Sequence, residues 1–255
     1  MLLAIDVGNT QTVLGLFGDS ALAEEWRIAT DVQRTHDELG ALIDSLLRAR
    51  RLCLDVVTAL ALSSVVPVLN REYVRMARRY LGVEPLVVGP GVKTGMPILT
   101  SNPREVGADL IVDAVASFEM VGGPCVVVDF GTATTFGVVS AKGEYLGHVI
   151  SPGIQTAMDA LTTRAAKLPR VELIDPGTVI GKTTVHSMQA GAIFGFAGQV
   201  DGIITRIRAE LGAPTAVSVA TGGLAPLIFE HAATLDRLDD HLTLRGLEII
   251  YRRNQ

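Results

Sequence analysis

Leu2-Leu3-Ala4-Ile5-Asp6-Val7-Gly8-Asn9-Thr10-Gln11-Thr12, at the start of the chain, returns in outline as Cys125-Val126-Val127-Val128-Asp129-Phe130-Gly131-Thr132-Ala133-Thr134-Thr135. In each copy a short apolar run, sized for a buried strand, ends in Asp. Two residues later a Gly opens a turn of hydroxyl and amide side chains. Asp129 follows Asp6 by 129 − 6 = 123 positions, and the next turn, Gly18-Asp19-Ser20 against Ala141-Lys142-Gly143, keeps that offset. The chain therefore reads as one large duplication, each half led by a hairpin and a third strand, and not as a short-period array.

Outward from the first hairpin, periodicity and cap signals predict a helix over 35–50, a strand over 56–63, a helix over 67–81 and a short strand at 86–88. Most of the loop-forming Gly and Pro of this half fall in 89–102, and a helix over 103–120 carries the chain into the second half. There the pattern gives helices over 153–164 and 184–211, a strand over 216–220, a Gly222-Gly223 turn and a terminal helix from about 243. This is an α/β chain of two domains, 1–113 and 114–255, each a mixed sheet flanked by helices, with a cleft expected between them.

Composition narrows the function classes. The 22 Lys and Arg are scattered among 27 Asp and Glu, for a net charge of −5, which argues against nucleic acid as a partner. Cys53 and Cys125 are too few for a disulfide framework and both have apolar neighbours, so they read as core residues in a reducing compartment. The N-terminus lacks a basic leader, and the apolar stretch 52–69 is broken by Asp55, Ser63, Ser64 and Pro67. Neither a signal peptide nor a membrane span is expected, and the location implied is cytoplasmic.

An Asp at a strand end, followed by a Gly turn, suits phosphate chemistry. The Gly lets the backbone approach closely so that N–H groups face phosphate oxygens, while the Asp holds a metal ion or its water. One such turn is also what an ordinary Asx-containing hairpin looks like. Two copies heading duplicate hairpins point to a nucleotide held at both turns.

The arrangement resembles the superfamily of actin, the acetate and sugar kinases and the heat-shock ATPases, whose ribonuclease H-like domains are duplicated. It is most similar to the type III pantothenate kinases. Asp6-Val7-Gly8-Asn9-Thr10, Pro103-Arg104-Glu105-Val106-Gly107-Ala108-Asp109, Asp129-Phe130-Gly131-Thr132, Gly181-Lys182-Thr183-Thr184 and Ala220-Thr221-Gly222-Gly223-Leu224 stand in that family's order. The resemblance implies ATP-dependent phosphorylation of pantothenate to 4'-phosphopantothenate, the opening step of coenzyme A synthesis, by a homodimer. It implies that Asp6, Val7, Gly8, Asn9, Thr10, Gln11, Thr12 and Val13 cradle the ATP phosphates, with Asp6 near Mg2+. Thr132, Gly222 and Gly223 become nucleotide contacts, and Asp129 the ligand of a monovalent cation, K+ or NH4+. Asp109 becomes the general base, within a substrate-binding group of Gly107, Ala108, Asp109, Leu110 and Thr184. Asp113, one helical turn beyond Asp109, is open to either coupling with it or plain solvation.

One position departs from the family. Its helix motif reads Gly-x-Asp-Arg, whereas Leu110 follows Asp109 here, and Leu offers a substrate carboxylate neither charge nor donor. Arg104 is a candidate substitute for that contact. Two further readings thus stay open: a catalytically weak or regulatory nucleotide-binding homologue, and a kinase for another hydroxylated acid or sugar. The Gly177-Thr178-Val179-Ile180-Gly181-Lys182-Thr183 run has three residues between its glycines where a P-loop has four, and is set aside. His36, His148, His186, His231 and His241 show no paired metal-ligand spacing.

Overall fold

The computed structural model describes residues 1–255. The chain divides into two compact units, the first comprising Met1–Met96, Ser101–Ala116 and Thr243–Gln255, the second Pro97–Thr100 and Ser117–Leu242.

In the first unit, β1 (Leu2–Val7), β2 (Gln11–Gly18) and β3 (Ala21–Ala29) form an antiparallel meander. β4 (Ala59–Ser64) then pairs parallel to β1, and β5 (Leu86–Val87) parallel to β4, giving the order β3-β2-β1-β4-β5. Leu3, Ile5 and Val7 share one face of β1 because side chains alternate along a strand. They pack against Leu39, Ile43 and Leu47 of α1 (His36–Ala49) and Leu69, Tyr73 and Met76 of α2 (Pro67–Met76). Thr35 caps α1 through a capping box with Glu38, and Pro67 opens α2 where its missing N–H costs nothing. The expected helix over 67–81 ends as a π turn over Ala77–Leu81 and stops at Gly82, whose φ is +66°.

The second unit repeats this plan. α3 (Ala108–Val121) carries the chain into it, and β6 (Cys125–Phe130), β7 (Ala133–Val139) and β8 (Tyr145–Pro152) form its meander. α4 (Ile154–Arg164) and α5 (Thr184–Glu210) follow, then β9 (Val217–Thr221), α6 (Ala225–Phe229) and β10 (Arg237–Leu238), in sheet order β10-β9-β6-β7-β8. Val126, Val128 and Phe130 of β6 pack on Ile154, Met188, Ile193 and Val200 of the helices. The two meanders share a β-bulge: Ala23 is the extra residue on β3 and Leu146 on β8, again 146 − 23 = 123 positions apart. No helix is long and apolar enough to cross a membrane.

Three details differ from the sequence reading. The helix expected over 103–120 is a 3-10 turn, Pro103–Glu105, capped by Asn102, and α3 restarts at Ala108. Cys125 is buried, its thiol pushed up to about 12 by burial, but Cys53 is exposed, since the extended chain there turns Leu52 and Leu54 to the core and the residue between them outward. The terminal helix α7 (Leu242–Arg253) lies largely in the first unit, where Leu244 meets β2 at Gly15.

Gly246 shows how α7 is seated. A Cβ there would lie 2.2 Å from the backbone oxygen of Val112 on α3, an overlap that no side-chain rotation relieves. Ala is ordinarily better than Gly inside a helix by about 1 kcal/mol. Here the clash reverses the sign, and Gly246→Ala is expected to destabilise the protein by about 2 kcal/mol in urea titration, whereas a gain in stability would mean α7 is not packed this closely.

Candidate active site

Asp6 ends β1, paired across the ladders with Val13 of β2 and Ser63 of β4. The turn beyond it is closed by the Gly8 N–H donating to the Gln11 carbonyl at 3.0 Å. A Cβ on Gly8 would stand 2.9 Å from that same oxygen, so the turn depends on Gly at this position. Asn9, Thr10 and Gln11 are exposed at the tip while Val7 and Thr12 are buried. Of the expected phosphate-turn residues, then, Thr12 has its side chain inside the unit, where its hydroxyl meets that of Thr30 at 2.9 Å.

Asp109 stands in the first turn of α3, where the helix dipole favours an acid. Its carboxylate bends back to accept the Leu110 N–H at 2.8 Å. This fold-back needs Gly107, since a Cβ there would lie 2.4 Å from Asp109 Oδ1. Burial is the main cause that pushes the Asp6 carboxyl up from 3.8 to about 7, and the negative charge of Asp109 adds to it, while the Ser63 hydroxyl pulls the other way. Two coupled acids, both half-buried, are an arrangement typical of functional sites, where added positive charge relieves the repulsion.

Asp113, which sequence left open to solvation, is only 2 % exposed and belongs to the interior of α3. Leu110 is 8 % exposed and counts among the apolar core, whereas Arg104 is exposed on the preceding 3-10 turn.

In the second unit Asp129 ends β6 in register with Thr135 and Thr221. The Gly131 N–H closes its turn on the Ala133 carbonyl at 3.0 Å, one residue tighter than the first turn, and Thr132 is exposed at the tip. Gly222 has φ +95°, and a Cβ there would come within 2.4 Å of Asp129 Oδ1, so the Gly222-Gly223 turn lies directly against this carboxylate. Thr184 is exposed at the start of α5, whose first turn is capped by the Thr183 side chain. With Lys182, Ser187, Leu161 and Phe196 it lines a cavity of about 880 Å³.

Sequence reasoning did not single out Ser63, Thr30, Gly153 or Thr156. Thr30 donates its N–H to the Thr10 carbonyl at 3.0 Å, and Gly153, 153 − 30 = 123 positions later, donates to the Thr132 carbonyl at 3.2 Å. Following the repeat to the end of the third strand would have found both. Thr156 adds a hydroxyl donor to the Thr132 carbonyl at 2.7 Å.

Comparison with known proteins gives the family. Residues 2–206 match the profile of the family described as type III pantothenate kinase. A curated type III pantothenate kinase of Moorella thermoacetica is 57% identical over 254 residues, covering 100% of both chains. This chain belongs to the type III pantothenate kinase family. Among solved structures, the ROK hexokinase of Thermus thermophilus is similar with TM-score 0.54 and 14% identity, over 99% of this chain and 98% of that one. Component A of the (R)-2-hydroxyglutaryl-CoA dehydratase of Acidaminococcus fermentans is similar with TM-score 0.56 and 12% identity, over 100% and 99%. At such identities the likeness establishes the fold, two duplicated actin-like domains, and leaves the chemistry to the site.

The raised Asp6 value carries a stability prediction for the metal-free family member. Between 3.8 and about 7 the folded state binds a proton that the unfolded state has lost, so stability falls as pH rises through this window and is level above it. Asp6→Asn removes that loss. In EDTA at pH 8 the variant is expected to be more stable than wild type by about 2 kcal/mol, an advantage that shrinks toward pH 4. An advantage equal at both pH values would contradict the assignment.

Proposed function

We propose that this chain transfers the γ-phosphoryl group of ATP to the 4'-hydroxyl of pantothenate, with Asp109 as the general base. Membership of the family, with 57% identity over the full length of a curated kinase, supports the reaction. The single structural observation that carries the residue assignment is the electrostatic coupling of Asp109 to Asp6, whose carboxyl its charge helps to raise. Phosphoryl transfer asks the protein chiefly to align the attacking hydroxyl and to offset charge, and to accept the proton late. A carboxylate locked to the first turn of a helix, with its orientation fixed by the Leu110 N–H, is suited to the last task.

In this reading residues 6–13 form the phosphate cradle, with Asn9, Thr10 and Gln11 contributing from the exposed tip and Thr12 from beneath. Thr132, Gly222 and Gly223 contact the nucleotide, and Gly107, Ala108, Leu110 and Thr184 border the acceptor. No cluster of three or more His, Cys, Asp or Glu side chains is built to hold a metal unaided. That fits Mg2+, which takes one or two carboxylates and completes its shell with phosphates and water, and the raised Asp6 carboxyl is a group that such an ion would return to its charged form. When bound, Mg2+ supplies charge neutralisation on the transferred phosphate. The Asp129 carboxylate, closely approached by the backbone of Gly222, fits a monovalent cation such as K+ or NH4+, which would supply further positive charge.

We assign the protein to the cytoplasm and to a homodimer. The second unit exposes Leu161, Val179, Ile180 and Val185 around α4 and the start of α5, an apolar set that a second copy would cover. Light scattering is expected to give about twice the 27.0 kDa chain mass, and a monomer at micromolar concentration would refute the assembly.

A coupled assay of ADP release with pantothenate, Mg2+ and K+ tests the reaction. Asp109→Asn is expected to lower kcat by about 10²–10⁴ while leaving ATP affinity within about twofold of wild type. Equal turnover by the variant would remove Asp109 as base. Leu110 favours a second reading, a kinase for a hydroxylated sugar or an acid held through other residues, or a non-catalytic homologue, because Leu offers the pantothenate carboxylate neither charge nor donor. Leu110→Arg is expected to lower the KM for pantothenate at some cost in stability, since packing at a position 8 % exposed is lost. If instead a different acid is turned over faster than pantothenate by wild type, the second reading holds.

A further inference from the structure

The residue that follows β3 is tied to the first phosphate turn by two hydrogen bonds. Thr30 donates its hydroxyl to the Gly8 carbonyl at 2.8 Å and its N–H to the Thr10 carbonyl at 3.0 Å. Behind it, Thr12 Oγ1 lies 2.9 Å from Thr30 Oγ1. Thr12 is 1 % exposed and Thr30 half-buried, so water reaches this contact from one side only.

Counting protons fixes its direction. Each hydroxyl has one proton to donate. Thr30 uses its proton on Gly8, so Thr12 must be the donor to Thr30. The result is a one-way relay, Thr12 to Thr30 to the Gly8 carbonyl, running from the sheet to the turn. Such chains polarise one another and hold a single geometry.

The end of the relay matters because a trans peptide is planar, with its C=O and N–H pointing opposite ways. Drawing the Gly8 carbonyl toward Thr30 turns the N–H of Asn9 away from it, toward the exposed tip of the turn. Without the relay this peptide is free to rotate, since Gly8 restricts its own backbone least of all residues.

We propose that Thr30 is a positioning residue for the nucleotide, its hydroxyl, oriented by Thr12, fixing the Gly8–Asn9 peptide so that the Asn9 N–H faces the phosphate chain. This rests on the kinase reading given above. Thr30 touches no reacting atom and acts through the turn.

The test uses the full-length protein and two variants: Thr30→Val, which keeps shape and the backbone bond but removes the hydroxyl, and Thr30→Ser, which restores the hydroxyl. Thr30→Val is expected to weaken ATP binding by calorimetry, and to raise the KM for ATP, by about tenfold, with the KM for pantothenate within about twofold of wild type. Thr30→Ser returns ATP affinity to within about threefold of wild type. Amide exchange at Asn9 is expected to quicken in Thr30→Val and not in Thr30→Ser. ATP bound equally by wild type and Thr30→Val, or Thr30→Ser behaving as Thr30→Val does, overturns the positioning role alone. Both KM values rising together with unchanged exchange at Asn9 overturns it as well, because general loosening then suffices. Wild-type protein that binds no ATP overturns the nucleotide reading itself.

Discussion

The first unit is organised around an acid that burial makes costly to ionise. Asp6 sits at the end of a central strand, flanked by β2 and β4, with the charge of Asp109 near it. Neither burial nor a like charge helps the fold, and a neutral residue would serve the sheet better. The strands on either side, the capped first turn of α3 and the Gly107 fold-back together hold the two carboxylates where they are. That stability is given up at this place and supplied by the apolar layers around it is the usual sign of a site kept for chemistry.

How much of this the sequence discloses depends on whether the cause is local. The strand-Asp-x-Gly turns were legible because turn chemistry is written in adjacent residues. The repeat also held more than its motifs: the bulges at Ala23 and Leu146 and the turn clamps at Thr30 and Gly153 keep the offset. What sequence could not disclose was the choice of partner. The amphipathic pattern of α7 shows that it has an apolar face but not that Gly246 lies on Val112, and the break before α3 depends on where the Asp109 carboxylate folds. Asp113 is polar by type and interior by position, and Thr12, which the family resemblance places in the phosphate cradle, has its hydroxyl on Thr30. Each of these is settled by an element distant in the chain.

Fold and chemistry separate cleanly here. A hexokinase and a dehydratase component share the architecture at identities of 14% and 12%, so duplicated actin-like domains say nothing by themselves about the acceptor. The second unit repeats the strand-end acid and Gly turn in a tighter form, with Gly222 pressed against Asp129. Two turns at one repeat offset have thus been given different neighbours.

The most direct test of the account is to identify the product. Phosphorus NMR of purified protein with ATP, Mg2+, K+ and pantothenate should show one phosphomonoester signal growing in step with ADP, assignable to 4'-phosphopantothenate and absent without protein. ADP appearing with inorganic phosphate alone, or no change in a folded, ATP-binding sample, would contradict it.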